Sequence, residues 1–175
     1  ALAAGCSVIL CPAEEAPGSA MAFVQCLHEA GIPAGVINLI NGVPDTVSPV
    51  LMNDPRVRKI SLTGSVRVGK LLVQASAKTL KRTTMELGGH APVIVFANTD
   101  AVAIAEQAAL VKFKHCGQVC ASPSRFFIHK SQAEEFTNKF IEIARNFKLG
   151  NGMDSDVDIG PLATRKRLNE VEQMV

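Results

Sequence analysis

Apolar residues along this chain fall in short blocks whose spacing alternates between that of a strand and that of a helix. A β-branched run from Ser7 to Leu10 follows Gly5, Pro12 and Pro17 bracket a polar turn, and Ala20 to Ala30 is apolar at helical spacing, which predicts strand, loop and helix. Gly31 and Pro33 end that helix, one tolerating positive φ and the other unable to continue. Val36 to Ile40 reads as a buried strand stopping at an Asn41-Gly42 turn. The next cycle is a strand from Val57 to Leu62, a turn at Thr63-Gly64-Ser65 and a helix from Val68 to Ala77. Strands separated by helices on this rhythm pair in parallel through right-handed crossovers, and such sheets collect ligands at the carboxyl ends of their strands. Glu14, Gly42 and Ser65 stand at three such ends.

The second half repeats the pattern. Val93 to Phe96 predicts a strand, a helix starts at Thr99 or Asp100 and runs to about Lys114, and Arg125 to His129 predicts another strand. Ser131 with Glu134 has the spacing of a capping box ahead of a helix whose Phe136, Phe140, Ala144 and Phe147 form a core stripe. Lys148 to Leu162 is a Gly- and Asp-rich loop, and Thr164 to Val175 begins a last helix. No internal repeat is present.

Composition narrows the classes. The 175 residues are 47% hydrophobic and 19% charged, enough apolar material for a core in one domain or parts of two. The net charge of +2 comes from interspersed acids and bases, and Trp and Tyr are absent, which argues against a nucleic-acid partner. The most basic stretch, Lys78, Lys81 and Arg82, reads as a solvated helix end. Five cysteines are an odd count and fit reduced thiols in a cytoplasmic compartment better than a disulfide framework. The opening ALAAGCSVILCPAEE is too short and too quickly polar for a membrane anchor or signal. It begins without Met inside an apparent structural unit, so the expectation is a piece of a longer protein.

Two residues stand out chemically. Cys120 follows Gly117-Gln118, where a helix breaks and freed backbone N–H groups can stabilise an anion, with Arg125 a few residues on. A free thiol is only a few per cent ionised at neutrality, so a nucleophilic cysteine needs such help. Taken alone, Cys120 reads more readily as a buried structural cysteine than as a nucleophile. Glu86 lies in a strand-like run between Met85 and Leu87, ahead of two glycines. It reads as a strand-end ion pair or as a general base whose pKa burial raises. A metal or redox module on His115, Cys116, Cys120 and His129 is a further reading, but it lacks the second Cys pair of a zinc site, so no metal is expected.

Three runs, ISLTGSVRVGK (60–70), MELGGHAPVIVF (85–96) and KFKHCGQVCASPSR (112–125), resemble in order the signatures of the aldehyde dehydrogenase superfamily. AAGCSVILCPAEE and DIGPL (158–162) add weaker matches, so the resemblance covers essentially the whole chain. It implies an α/β fold: a Rossmann-like parallel sheet with flanking helices over residues 1–88, then the first part of a second, catalytic α/β domain over 89–175. It implies that Cys120 attacks an aldehyde to form a thiohemiacetal and then a thioester, and that Glu86 activates the water that hydrolyses it. Glu14 would hold the adenosine ribose of NAD or NADP, Gly42 would pass near the adenine, Thr63-Gly64-Ser65 would bind the pyrophosphate at a helix start, and Leu87 would approach the nicotinamide amide. Without the resemblance, Ser65 is a plain helix N-cap. The family does not use the G-x-G-x-x-G loop, and this chain has none.

Two departures matter. Cys11 stands where the family usually has a ribose-contacting Lys, which favours NAD over NADP, and His115 stands for the usual Asn. The motif runs are closest to the semialdehyde dehydrogenases, and Glu86 favours hydrolysis over transfer to coenzyme A. The family's oxyanion Asn, second ribose Glu and oligomerisation strand lie outside the chain, so the parent is expected to be a homo-oligomer and the isolated chain weakly active or inactive. A non-catalytic member of the family is the remaining alternative.

Overall fold

Three pairs of strands, each joined by a helical crossover, carry the chain in the computed structural model, which describes residues 1–175. The chain divides into two compact units: Ala1–Ile60 with Lys70–Thr84, and Ser61–Gly69 with Met85–Val175.

In the first unit, β1 (Val8–Leu10) pairs in parallel with β2 (Ile37–Leu39), Val8 facing Ile37 and Leu10 facing Leu39. Helix α1 (Pro17–Glu29) makes the crossover. Pro17 opens this helix instead of ending the preceding loop, because the first helical position needs no N–H donor. Helix α2 (Pro44–Asn53) was not anticipated from the sequence. The Asn-Gly-x-Pro-Asp run looks like a turn, and Pro49 interrupts the apolar periodicity. Pro44 at the first turn, Asp45 beside the helix's positive end and the buried Met52 sustain it.

Lys81 also departs from its expected solvated place. It is only 7% exposed, and its Nζ donates to the carbonyls of Asp54 (2.6 Å) and Val57 (2.7 Å). A buried ammonium without hydrogen-bond acceptors would be costly; here it ties the end of α2 to the segment leading into the next strand.

That strand, β3 (Lys59–Gly64), pairs with β4 (Arg82–Leu87). The Arg82 N–H reaches the Arg58 carbonyl at 3.0 Å, joining the two beginnings, so the strands run the same way. Between them, α3 (Val66–Ser76) starts two residues earlier than its periodicity suggested, and Thr63 and Gly64 finish the strand instead of forming a turn.

In the second unit, β5 (Ala91–Val95) and β6 (Pro123–Ile128) pair in parallel, with Val95 facing Ile128. Helices α4 (Ala101–Phe113) and α5 (Ala133–Asn146) follow these strands. The Asp100 carboxylate caps α4 by accepting the Ala103 N–H at 3.0 Å, as its position implied. Val95, Ala101, Ala105, Ala108 and Phe136 form the core, with Val93, Phe126, Ile128 and Phe140 packed on it. Ala105, fully enclosed, lets α4 pack closely. The expected aromatic stripe is present: Phe136 lies 5.8 Å from Phe126 and 5.8 Å from Phe140, and Phe147 lies 5.4 Å from Phe113.

Phe136 is 3% exposed, so Phe136→Ala is expected to cost about 3–5 kcal/mol of this unit's stability. Urea unfolding followed by circular dichroism checks this; a midpoint unchanged from the wild type would contradict the packing.

The capping box does not form. The Ser131 hydroxyl lies 2.9 Å from His129 Nδ1, and Gln132 precedes α5 with no capping side-chain bond. A 3₁₀ turn at Lys130–Gln132 occupies the place where Ser131 would have to cap. Thr164 does cap the final helix α6 (Arg165–Glu172), accepting the Arg167 N–H at 3.1 Å. No helix is long and apolar enough to cross a membrane.

Candidate active site

Where α4 ends, the backbone turns left-handed at three successive residues: His115 (φ 49°), Cys116 (φ 58°) and Gly117 (φ 71°). For a residue with a Cβ this costs about 1–2 kcal/mol, so the turn has to be held from outside. The Gln118 N–H closes it on the His115 carbonyl at 3.0 Å, and Gln118 Nε2 donates to the same oxygen at 3.1 Å. Ser122, 6% exposed, donates from Oγ to the Lys112 carbonyl at 3.1 Å. A turn closed by the Ser122 N–H on the Val119 carbonyl (2.9 Å) lifts Cys120 between these anchors.

Cys120 is exposed, which removes the reading of it as a buried structural cysteine. Exposure alone does not single it out, since Cys6, Cys11 and Cys26 are exposed too. Arg125 does not stand free to assist the thiol: its guanidinium donates to the His90 carbonyl at 2.7 Å, at the start of β5. His129 is engaged with Ser131, and no three His, Cys, Asp or Glu side chains converge in a way that could hold a metal ion. A metal site built on His115, Cys116, Cys120 and His129 has no geometric basis.

Glu86 lies in the same unit as Cys120 but is exposed, not buried as the sequence suggested. Along β4 the half-buried positions are Met85 and Leu87, and strand alternation turns Glu86 to the other side. No salt bridge holds it, so the strand-end ion-pair reading has no partner.

The cofactor candidates fall into two groups. In the second unit, Thr63 and Gly64 lead into α3, and Ser65 Oγ accepts the Val68 N–H at 3.2 Å. The N-cap role leaves the Ser65 O–H free to donate to an anion at the helix's positive end, so the two readings of Ser65 are compatible. Leu87 is brought to this helix by Gly69, where an added Cβ would lie 2.9 Å from Leu87 Cδ2. In the first unit, Glu14 and Gly42 line one open cleft of about 270 Å³ with Pro12, Ala13, Pro17, Asn41 and Val43, beyond the carboxyl ends of β1 and β2. A side chain at Gly42 would come within 2.9 Å of Val47 Cγ2, so its bareness already serves the packing of α2. Cys11 is exposed as a residue, yet desolvation pushes its thiol up from the ordinary value, so it is uncharged at neutral pH.

Sequence reasoning missed one arrangement. Residues 148–163 dock against the turn before Cys120: Cys116 Sγ lies 2.9 Å from the Gly160 carbonyl and 3.5 Å from that of Pro161, and Gln118 Oε1 accepts the Ala163 N–H at 3.3 Å. A cleft of about 510 Å³ opens there, lined by His115, Cys116, Gln118, Asp158 and Gly160 among others. The motifs GQVC and DIGPL were both visible, but their separation in sequence gave no sign that they touch.

Parallel strand pairs with crossover helices make this an α/β protein, and its second unit carries an accessible cysteine in a braced turn. The chain belongs to the aldehyde dehydrogenase family, whose model matches residues 1–175. It is similar to a 3-sulfolactaldehyde dehydrogenase of Pseudomonas putida, 42% identical over all of this chain and 36% of the relative. It is also similar to a succinate-semialdehyde dehydrogenase [NADP(+)] of Schizosaccharomyces pombe, 41% identical over all of this chain and 35% of the relative. A Pseudomonas syringae aldehyde dehydrogenase solved with NAD+ and octanal superposes with a TM-score of 0.92 at 34% identity, covering 99% of this chain and 36% of that one. The chain thus spans about a third of the length of the relatives it matches.

Proposed function

We propose that the protein carrying this chain oxidises an aldehyde to a carboxylic acid, with Cys120 as nucleophile and Glu86 as the base for water. The exposed Cys120 in its braced turn is the observation that carries this reading, because covalent catalysis needs a thiol held in place and open to substrate. The Cys120 sulfur bonds to the carbonyl carbon to give a thiohemiacetal. Loss of hydride from that carbon and of the proton from its hydroxyl leaves a thioester on Cys120, and water deprotonated by Glu86 releases the acid and restores the thiol.

The residues fit a dinucleotide. Within the second unit the Ser65 hydroxyl at the start of α3, with Thr63 and Gly64 before it and Leu87 against the helix, suits a pyrophosphate and the ring beyond it; within the first, the Glu14 carboxylate suits ribose hydroxyls and Gly42 an adenine. When bound, such a cofactor supplies the hydride acceptor. Residues 1–88 are assigned to cofactor binding and 89–175 to the catalytic part. The relatives' names point to semialdehydes, and succinate semialdehyde or a related semialdehyde is the proposed substrate class. A cytoplasmic homo-oligomer is the proposed setting. Incubating the full protein with succinate semialdehyde, cofactor and coenzyme A tests the scheme: free succinate supports it, and a coenzyme A thioester as the main product would replace it with the acylating reaction.

NAD is proposed over NADP because the cleft that holds Glu14 has no basic lining residue and Cys11 beside it is uncharged. The Schizosaccharomyces pombe relative is named for NADP(+), so the preference is a sharp test. Cys11→Lys is expected to improve kcat/KM for NADP relative to NAD by roughly tenfold or more, the scale of one added charge-assisted contact to a phosphate. An unchanged ratio would show that position 11 does not face the ribose.

A further inference from the structure

We propose that Cys116 is a positioning residue for Cys120: its thiol fastens the left-handed turn at 115–117 to the Gly160 carbonyl and so fixes where the Cys120 sulfur is presented. This rests on the reading of Cys120 as the nucleophile.

The platform beneath Cys116 is itself closed. The Lys148 N–H donates to the Asp158 carboxylate at 2.9 Å, the Ile159 N–H to the Lys148 carbonyl at 3.1 Å and the Gly150 N–H to the Ile159 carbonyl at 3.1 Å. Gly150 lies so close to Val157 that an added Cβ would stand 2.8 Å from its Cγ2. Gly160 is therefore presented by a loop with few ways to rearrange. Cys116 is the one partly buried cysteine of the five, and its Sγ lies 2.9 Å from Gly160 O, within bonding reach of a thiol donor.

The turn it holds is costly. His115 and Cys116 both carry a Cβ and both sit at positive φ, so without an outside contact the segment favours other conformations. Three residues separate Cys116 from Cys120, and the next anchor, the Ser122 hydroxyl on the Lys112 carbonyl, lies two positions beyond Cys120. Cys120 is thus presented from a short span fixed at both ends. Releasing one end lets the sulfur sample several positions, of which few are productive.

The test is alkylation by iodoacetamide, resolved cysteine by cysteine by peptide mass spectrometry, on the protein as wild type, Cys116→Ala and Cys116→Ser, with circular dichroism to confirm folding. In the wild type Cys120 is expected to react faster than Cys6, Cys11 and Cys26, and Cys116 more slowly than Cys120. Cys116→Ala should slow Cys120 by roughly twofold to tenfold, the equilibrium equivalent of one net hydrogen bond. Cys116→Ser, which keeps a donor for the Gly160 carbonyl, should restore the wild-type rate.

A folded Cys116→Ala protein with an unchanged Cys120 rate, or a serine variant as slow as the alanine one, overturns the positioning role while leaving the nucleophile reading intact. If the wild-type Cys120 reacts no faster than the other exposed thiols, it is the nucleophile reading that fails. Should the alanine variant not fold, the wild type still decides, since a Cys116 as reactive as Cys120 has no hydrogen bond to lose.

Discussion

Cys120→Ala is expected to lower aldehyde turnover by on the order of 10⁴-fold or more, the scale seen when a covalent nucleophile is removed and only binding and orientation remain. The thioester route has no second acceptor: Cys116, the nearest other thiol in sequence, is turned onto the Gly160 carbonyl. Cys120→Ser should be nearly as inactive, because a hydroxyl is far harder to ionise than a thiol. Both variants should keep the wild-type thermal midpoint, since Cys120 is exposed and makes no side-chain hydrogen bond, and surface changes of that kind stay within about 0.5 kcal/mol. Cys6→Ala and Cys26→Ala serve as controls and should retain turnover. Residual activity in Cys120→Ala above a tenth of the wild-type rate would remove the thiol from the chemistry and leave the family assignment standing without its nucleophile.

The elements that could be read from the sequence are those whose local chemistry agrees with their final place. The runs Ser7–Leu10 and Val93–Phe96 read as strands, and the structure has parallel-paired strands at Val8–Leu10 and Ala91–Val95. Asp100 looked like a helix cap and is one. The failures share a different cause. Helix α2 contradicts its own propensity, carrying Pro49 in its middle, and the buried Met52 is what repays it, a tertiary effect that no window of sequence displays. Lys81 looked solvated because its acceptors, the carbonyls of Asp54 and Val57, are backbone atoms more than twenty residues away. Ser131 had the spacing of a capping box, but His129 competes for its hydroxyl.

The candidate site divides along the same line. Cys120, Glu86 and Ser65 could be named because their motifs are local, and Glu14 and Gly42 because strand ends in a parallel pair gather ligands. What surrounds them could not be named. The exposure of Glu86 follows from which side of β4 its neighbours take, and the tie between Cys116 and Gly160 from the path of a loop with almost no periodic signal.

Glu86→Gln is expected to separate the two halves of the reaction, slowing steady-state turnover by about 10² to 10⁴-fold, the usual contribution of a general base, while sparing the first chemical step. The amide keeps the size of the carboxylate, and because Glu86 is exposed and free of ion pairs, the substitution leaves no buried partner unsatisfied. In the proposed scheme the thioester forms on Cys120 without Glu86, so rapid mixing should show a burst of one product equivalent per Cys120 followed by a slow phase. Hydroxylamine attacks a thioester without a base to deprotonate it. Adding it should therefore speed the slow phase in Glu86→Gln far more than in the wild type. Loss of the burst together with the steady rate would place Glu86 in the first step, and a variant with the wild-type steady rate would assign the activation of water to another group.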